Sequence, residues 1–522
     1  MALFDKLQKI KLKREGGRPP TGIREELDKF DLAASALEAR MLDAKWQALH
    51  GKDTSLEMQE IAAENARLVG ESGYAELVRS NLPAATGPDQ RELALRANAI
   101  TLGRIRSQPD VSQLLGIAYE AQSAYAPLID GVPFPGEGLK NMVAFCPDSL
   151  LRAKAYYARA QAHEELGQVK LALVTALNHY SSELEGKPTY SHAVLDAQDA
   201  TPALLYSHIS GYEKGSRPVL EKIYAGIRES FGLKRIPPAD RNFLVEQYIG
   251  GPIAEIFPPE MLLPALKRTL SLMGFGKIHG EKFIEDIDKP PFSISLVCGP
   301  RFAREECAMR AAPGTPDYRV FINADLERSD IDLMRTLLLE SGRMVHFFAL
   351  DRLPARSAFK TEAECMRHAV AMLFGSVVSD EKWLRDVAML SAEDAEYLSG
   401  AFMLKQVMMK RELAAEALFE LKLYHGENPV TAYQETAEIF EGEGMEVDVG
   451  LMWANHPYTA INPCGNLTYA LGLMMHEVLA ESVLSRYGTF LDERVALYMV
   501  DNFFTGNEMP WNERLRKIAG GR

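Results

Sequence analysis

Leu338-Leu-Glu-Ser-Gly-Arg-Met-Val-His346 stands inside a segment whose apolar residues recur with helical spacing. Ile331, Met334, Leu338, Ser341, Val345 and Phe348 follow one another at intervals of three or four, which puts them on one side of an α-helix. Ser329, followed three residues later by Asp332, has the form of a capping box and marks the start. The pattern predicts a helix over residues 330–349 with a buried stripe. Glu340, Arg343 and His346 are three residues apart within it, so neighbouring members can touch along the helix surface.

Outward from this helix the texture differs on its two sides. Just before it, residues 292–297 alternate in polarity and 318–322 are β-branched and aromatic, each run flanked by Gly or Pro, which predicts two or so short strands. Further upstream, residues 22–211 carry apolar positions at helical spacing, interrupted by Gly, Pro and Asn, as in a run of antiparallel helices. Residues 155–180 resemble one tetratricopeptide helix pair, but a solenoid needs about three copies and no second is found, so a plain helical hairpin is expected. Proline-rich joints occur at 132–138 (VPFPGEG) and 234–240 (KRIPPAD). Residues 273–280 contain a GxG that follows a helical run and lacks the spacing of a dinucleotide-binding turn.

Composition bounds the function. Lys and Arg total 58 against 72 Asp and Glu, a net charge of −14, so the field of the whole molecule repels phosphate backbones and nucleic acid is not expected as a partner. No apolar run reaches the roughly 18 residues of a membrane span, and the basic N-terminus lacks the apolar stretch of a secretory signal, so a cytoplasmic location is expected. Leu3, Phe4, Leu7 and Ile10 are helically spaced among lysines in a basic arm over 1–21. Five scattered cysteines without a CxxC pair indicate neither a disulfide framework nor a cysteine-rich zinc site.

In zinc-binding helices of the HExxH type, two histidines at i and i+4 hold the ion from one face while the intervening Glu works on the metal-bound water. Leu339-Glu340-Ser341-Gly342-Arg343 has this frame with both histidines replaced. Glu362, in Phe359-Lys-Thr-Glu362, comes 23 residues after Leu339; Asn455-His-Pro-Tyr458, Asn466-Leu-Thr-Tyr469 and His476-Glu477 follow, and the chain closes on Trp511-Asn-Glu-Arg-Leu515. In order and spacing these segments resemble the thimet oligopeptidase and oligoendopeptidase F group of zinc metallopeptidases, related more distantly to the angiotensin-converting-enzyme group. The resemblance covers about residues 250–520 by motif and the earlier half by helical texture only. It implies a mainly α, two-lobed helical fold with a central channel and a small β ribbon. A basic arm (1–21), an N-terminal helical lobe (22–240) and a degenerate metallopeptidase-like lobe (241–522) would then divide the chain.

The resemblance assigns Leu339 and Arg343 to the two histidine ligand positions, Glu340 to the general base and Glu362 to the third ligand. Leucine has no donor atom and arginine is a permanent cation without an acceptor, so zinc is expected to be lost, and no cofactor is expected in its place. Arg343 is expected to pair with Glu362 or Glu340, replacing the charge of the metal; a solvated i,i+3 bridge is the plainer alternative. Thr361 and Glu364 have the form of a capping box. A shifted metal site from His346, Glu362, Glu364 and His368 is a further possibility. His456, Tyr458 and Tyr469 match the family's substrate-binding His and Tyr stretch. The leading reading is a pseudopeptidase in which Arg343, His346, Glu362, His456, Tyr458 and Tyr469 bind a peptide or protein partner, an active paralogue among the candidates. The alternatives are an oligopeptidase with a rearranged metal site, and a helical scaffold subunit.

Overall fold

A computed structural model describes residues 22–71, 73–134, 136–160, 164–250, 259–298, 304–313, 315–324, 331–353, 356–441, 452–455 and 462–520. Within them the chain forms twenty α-helices and three small sheets. The expected N-terminal arm, Ser329, His456 and Tyr458 lie outside the described residues. No helix among the described residues is long and apolar enough to cross a membrane, and all five cysteines are free thiols.

The first helices, Gly22–Leu49, Ser55–Glu71, Tyr74–Asn81 and Gly87–Arg106, close over a satellite core of Leu27, Tyr74, Val78, Leu93 and Ile100. The main core is continuous from Ile105 to Ile518. The expected hairpin over residues 155–180 is corrected. Helix Ser149–Ala160 packs on Gly136–Phe145 around Leu139, Met142, Val143 and Ala155. Helix Glu164–Glu185 turns Leu173, Val174 and Leu177 into the main core against Pro109–Ala124. Periodicity shows that a helix has an apolar face but does not name the surface that covers it.

Three strands, Phe292–Cys298, Arg304–Ala312 and Thr315–Ala324, make the largest sheet, with the last of them in the centre. The central strand runs parallel to the first, with Phe292 opposite Tyr318, and antiparallel to the second, with Ala308 opposite Val320. The second strand was not foreseen because Arg304-Glu-Glu-Cys-Ala-Met-Arg310 is too charged to read as a strand. Helix Ile331–Arg352 passes beneath the second and third strands and is buried almost all round, a wider burial than the predicted stripe. The sheet covers one side of it and helix Glu364–Gly375 the other.

Small residues let these helices close up. A Cβ on Gly342 would lie 2.5 Å from the ring of Phe374. Helix Gly465–Tyr487 packs on the outer side of Glu364–Gly375, where a Cβ on Gly472 would lie 2.6 Å from the Cβ of His368 and 2.8 Å from the carbonyl oxygen of Cys365. The long helix Ala392–Tyr424 meets Gly465–Tyr487 at its beginning: the buried carboxylate of Glu420 accepts the amides of Cys464 (2.8 Å) and Asn466 (3.1 Å). A side chain from another helix thus satisfies amides that helical geometry leaves free.

Candidate functional site

The decisive helix carries Leu339, Glu340 and Arg343 to the junction of the sheet with the two flanking helices. Leu339 is half-buried and lies beside Gly375. Glu340 is 1% exposed and its Oε1 accepts from Arg343 Nη1. The other terminal nitrogen of Arg343 donates to the hydroxyl of Tyr469 at 3.1 Å and reaches Nδ1 of His368 at 3.5 Å. The His368 ring stacks on Tyr469 with centroids 3.6 Å apart, and its Nε2 is 3.6 Å from a Glu364 oxygen. Burial raises the Glu340 carboxyl above its ordinary range and the Arg343 charge opposes that rise. Burial also holds His368 down at about 4, a neutral ring whose Nδ1 is free to accept. The pair of Glu340 and Arg343 is therefore an interior ion pair, and the reading as a solvated helix-surface bridge is set aside.

Glu362 is occupied elsewhere. Arg514, from the C-terminal helix Trp511–Gly520, grips its two oxygens at 2.8 and 3.2 Å and also donates to the carbonyls of Phe503 (3.1 Å) and Gly506. The expected alternative pairing of Arg343 with Glu362 is thus corrected to Arg514 with Glu362. His346 is fully buried, 3.8 Å from Glu362, with its ring 4.9 Å from that of Phe504. Burial, followed by the positive charges of Arg514, Arg367 and Arg310, pushes it well below the usual histidine value. The capping box expected at Thr361 is also corrected: its hydroxyl donates to the carbonyl of Ala358, and the helix begins without a side-chain cap.

These donors do not fit a zinc ion. Leu339 offers no lone pair, Arg343 brings a positive charge, and the carboxylate of Glu362 is taken by Arg514. The four residues considered for a shifted metal site form two separate contacts, His346 with Glu362 and His368 with Glu364. No three His, Cys, Asp or Glu side chains among the described residues stand together as a metal would require.

A cavity of about 430 Å³ lies between helices Gly136–Phe145, Arg241–Gly250, Ala392–Tyr424 and Pro429–Glu441. Glu306 of the charged strand and Asp332 and Arg335 of the decisive helix bound it on one side. Glu306 acts on Glu340, raising it, so the cavity and the Glu340 turn are electrostatic neighbours. Charges of both signs line the walls in pairs, Lys140 with Glu412 at 3.0 Å and Lys405 with Glu246 at 2.6 Å, between the apolar surfaces of Phe402, Met408 and Phe419. Walls of this kind suit a ligand that is partly apolar and carries polar groups along its length. The cavity residues were not legible in the sequence, because they come from segments hundreds of residues apart.

The helices, the three-stranded sheet above the Glu340 turn and the helix that brings Tyr469 define an oligoendopeptidase fold. Among solved structures, the chain is similar to one assigned as oligoendopeptidase F at 13% identity and a TM-score of 0.60, over 93% of this chain and 92% of that one. It is likewise similar to PZ peptidase A with an inhibitor, at 14% identity, a TM-score of 0.61 and 93% of each chain. A protein assigned as oligoendopeptidase F from Bacillus anthracis gives 12% identity and a TM-score of 0.57, over 97% and 94% of the two chains. No family model matches the sequence and no curated protein does. The fold expected from the order and spacing of the sequence motifs is the fold the chain has.

Proposed function

We propose that this chain is a non-catalytic relative of the oligopeptidases that binds a peptide, or an extended segment of a protein partner, in the cavity that adjoins the Glu340 helix. The observation that carries the reading is the interior ion pair of Arg343 with Glu340. In a zinc peptidase the glutamate of this frame must take a proton from water held by the metal. Here its carboxylate is tied to a guanidinium that neither gives up a proton near neutrality nor accepts one. A cavity of about 430 Å³ with apolar stretches and paired charges supports retention of the binding half of the ancestral activity.

The test is the metal content of the purified protein by elemental mass spectrometry, before and after incubation with zinc and desalting, together with an assay of cleavage of a quenched fluorescent nonapeptide. Trace metal and no cleavage are expected. Stoichiometric zinc with cleavage that a chelator abolishes would overturn the reading and direct mutagenesis to His346, Glu362, Glu364 and His368. Nothing in the geometry favours the scaffold alternative over peptide binding.

A further inference from the structure

His192 and His425 come from distant parts of the chain and meet outside both the Glu340 frame and the cavity. Their ring centroids are 5.6 Å apart and their planes cross at 61°. His192 is half-buried on helix Tyr190–Ala197, and His425 is exposed at the C-terminal end of helix Ala392–Tyr424. Each ring is oriented through Nδ1. In His425 it faces the carbonyl oxygen of Leu421 at 2.7 Å; that oxygen can only accept, so Nδ1 carries the hydrogen and Nε2 of the neutral ring keeps its lone pair. In His192 it lies 2.8 Å from Thr189 Oγ1, a hydroxyl that also has Ser191 Oγ at 2.7 Å. Among the described residues neither Nε2 has a hydrogen-bond partner. The backbone beneath the two rings is tied together by one side chain: the amide of Asn178 donates to the Tyr424 carbonyl at 2.8 Å and its oxygen accepts from the Tyr190 amide at 2.8 Å.

An imidazole held by the protein through one nitrogen, with the other unused, has the arrangement of a histidine metal ligand. The separation of the rings agrees. Zinc binds an imidazole nitrogen at about 2.0–2.1 Å and the ring centre lies about 1.1 Å beyond, so two rings on one tetrahedral ion have centroids roughly 5.2 Å apart. The surroundings favour a cation: His425 caps the negative end of a 33-residue helix, and the net charge of −14 draws positive ions toward the chain. Burial, followed by the neighbouring His425, holds His192 below the usual histidine value, which keeps its ring uncharged and open to a metal at neutral pH. We propose that His192 and His425 together bind a divalent transition-metal ion of the zinc class through their Nε2 atoms. Among the described residues no third His, Cys, Asp or Glu stands with them, and Asp196, one turn on from His192, is ion-paired with Lys187, so water completes the coordination. Imidazole donors select zinc, nickel or copper over magnesium and calcium. The ion would clip the end of the long helix, whose earlier turns line the cavity, to helix Tyr190–Ala197. The proposal is independent of the peptide-binding reading. An ion held by two imidazoles and water exchanges with solvent, so desalting strips it and the trace metal expected of the desalted chain is unaffected.

The experiment titrates the full chain, treated with a chelator and desalted, with zinc chloride near neutral pH in a calorimeter, and with magnesium chloride for comparison. One zinc ion per chain with a Kd on the order of 10 µM is expected, and no heat from magnesium. His192→Gln and His425→Gln should each weaken zinc binding at least about tenfold, as loss of one of two protein ligands demands. His425 is exposed, so its variant should keep the native thermal melt and the loss of zinc cannot be put down to unfolding. His368→Gln, which removes a histidine beside Arg343, should bind zinc as the native chain does. No zinc binding below about 1 mM, or undiminished binding in both His192→Gln and His425→Gln, overturns the proposal and leaves the non-catalytic reading standing. Zinc lost in His368→Gln and kept in the other two variants overturns the proposal and counts against that reading as well, because the ion then sits beside the Glu340 frame.

Discussion

Arg343 holds Glu340 with one terminal nitrogen and places the other 3.1 Å from the hydroxyl of Tyr469, so a single side chain ties helix Ile331–Arg352 to helix Gly465–Tyr487 across the site. The positive charge beside Glu340 is therefore built into the packing of these two helices.

Removing that charge alone should be costly. Arg343→Met leaves the carboxylate of Glu340 buried without its cation, a loss of about 3–5 kcal/mol in denaturant unfolding. Arg343→Met combined with Glu340→Gln should recover most of it, since no uncompensated charge remains. Equal destabilisation of the single and double variants would show that the ion pair is not what Arg343 contributes.

The second buried pair should behave in the same way. Glu362→Ala strands Arg514 at 4% exposure, and a cost of about 3–5 kcal/mol is expected. Helix Trp511–Gly520 should lose amide-exchange protection along with it, because Arg514 is the residue through which that helix reaches Glu362 and the carbonyls of Phe503 and Gly506.

Acid should weaken the fold through its buried histidines. Folded values of about 4 for His368 and about 3 for His476 lie below the ordinary 6.5 because burial disfavours the charged ring. Below 6.5 the unfolded chain takes up protons that the folded chain refuses. The stability these groups contribute is thus full above about pH 6.5 and is lost as pH falls from there toward their folded values, at about 1.4 kcal/mol per pH unit for each. Glu420, whose carboxyl burial raises to about 8, works in the opposite direction over this range, so the readout in urea unfolding is a difference: between pH 7 and 5 His368→Gln should lose less stability than the native chain, by about one proton. Equal pH slopes for the native chain and His368→Gln would show that the folded chain takes up this proton as readily as the unfolded one.

Gly472→Ala should destabilise by about 1–3 kcal/mol, because its methyl would meet the Cβ of His368 and the Cys365 carbonyl oxygen, neither of which can swing aside. The same change at Gly400, where a Cβ would have nothing within 4 Å, should be neutral or slightly stabilising. Thermal melts of the two variants side by side decide it.

The helix around Glu340 could be read from sequence because its apolar spacing and the i,i+3 relation of Glu340 to Arg343 are local facts, and the motif order downstream pointed to the fold. Arg514 could not be read this way. It lies in a terminal helix 152 residues from the acid it neutralises, and only packing brings the two together. Of the two partners expected for Arg343, Glu340 is the one it has and Glu362 goes to Arg514, because the sequence showed that a cation was needed near Glu362 and not which one arrives. The charged strand Arg304–Ala312 was missed because its hydrogen bonds to the central strand, and not its side chains, make it a strand.

Glu420 couples two regions that would otherwise be independent. Its helix lines the cavity through Phe402, Met408 and Phe419 before its carboxylate takes the amides that open the Tyr469 helix. A stretch of helix about 27 Å long, from Phe402 to Glu420 at the rise of an α-helix, thus joins the wall of the cavity to the start of the helix whose Tyr469 hydroxyl faces Arg343.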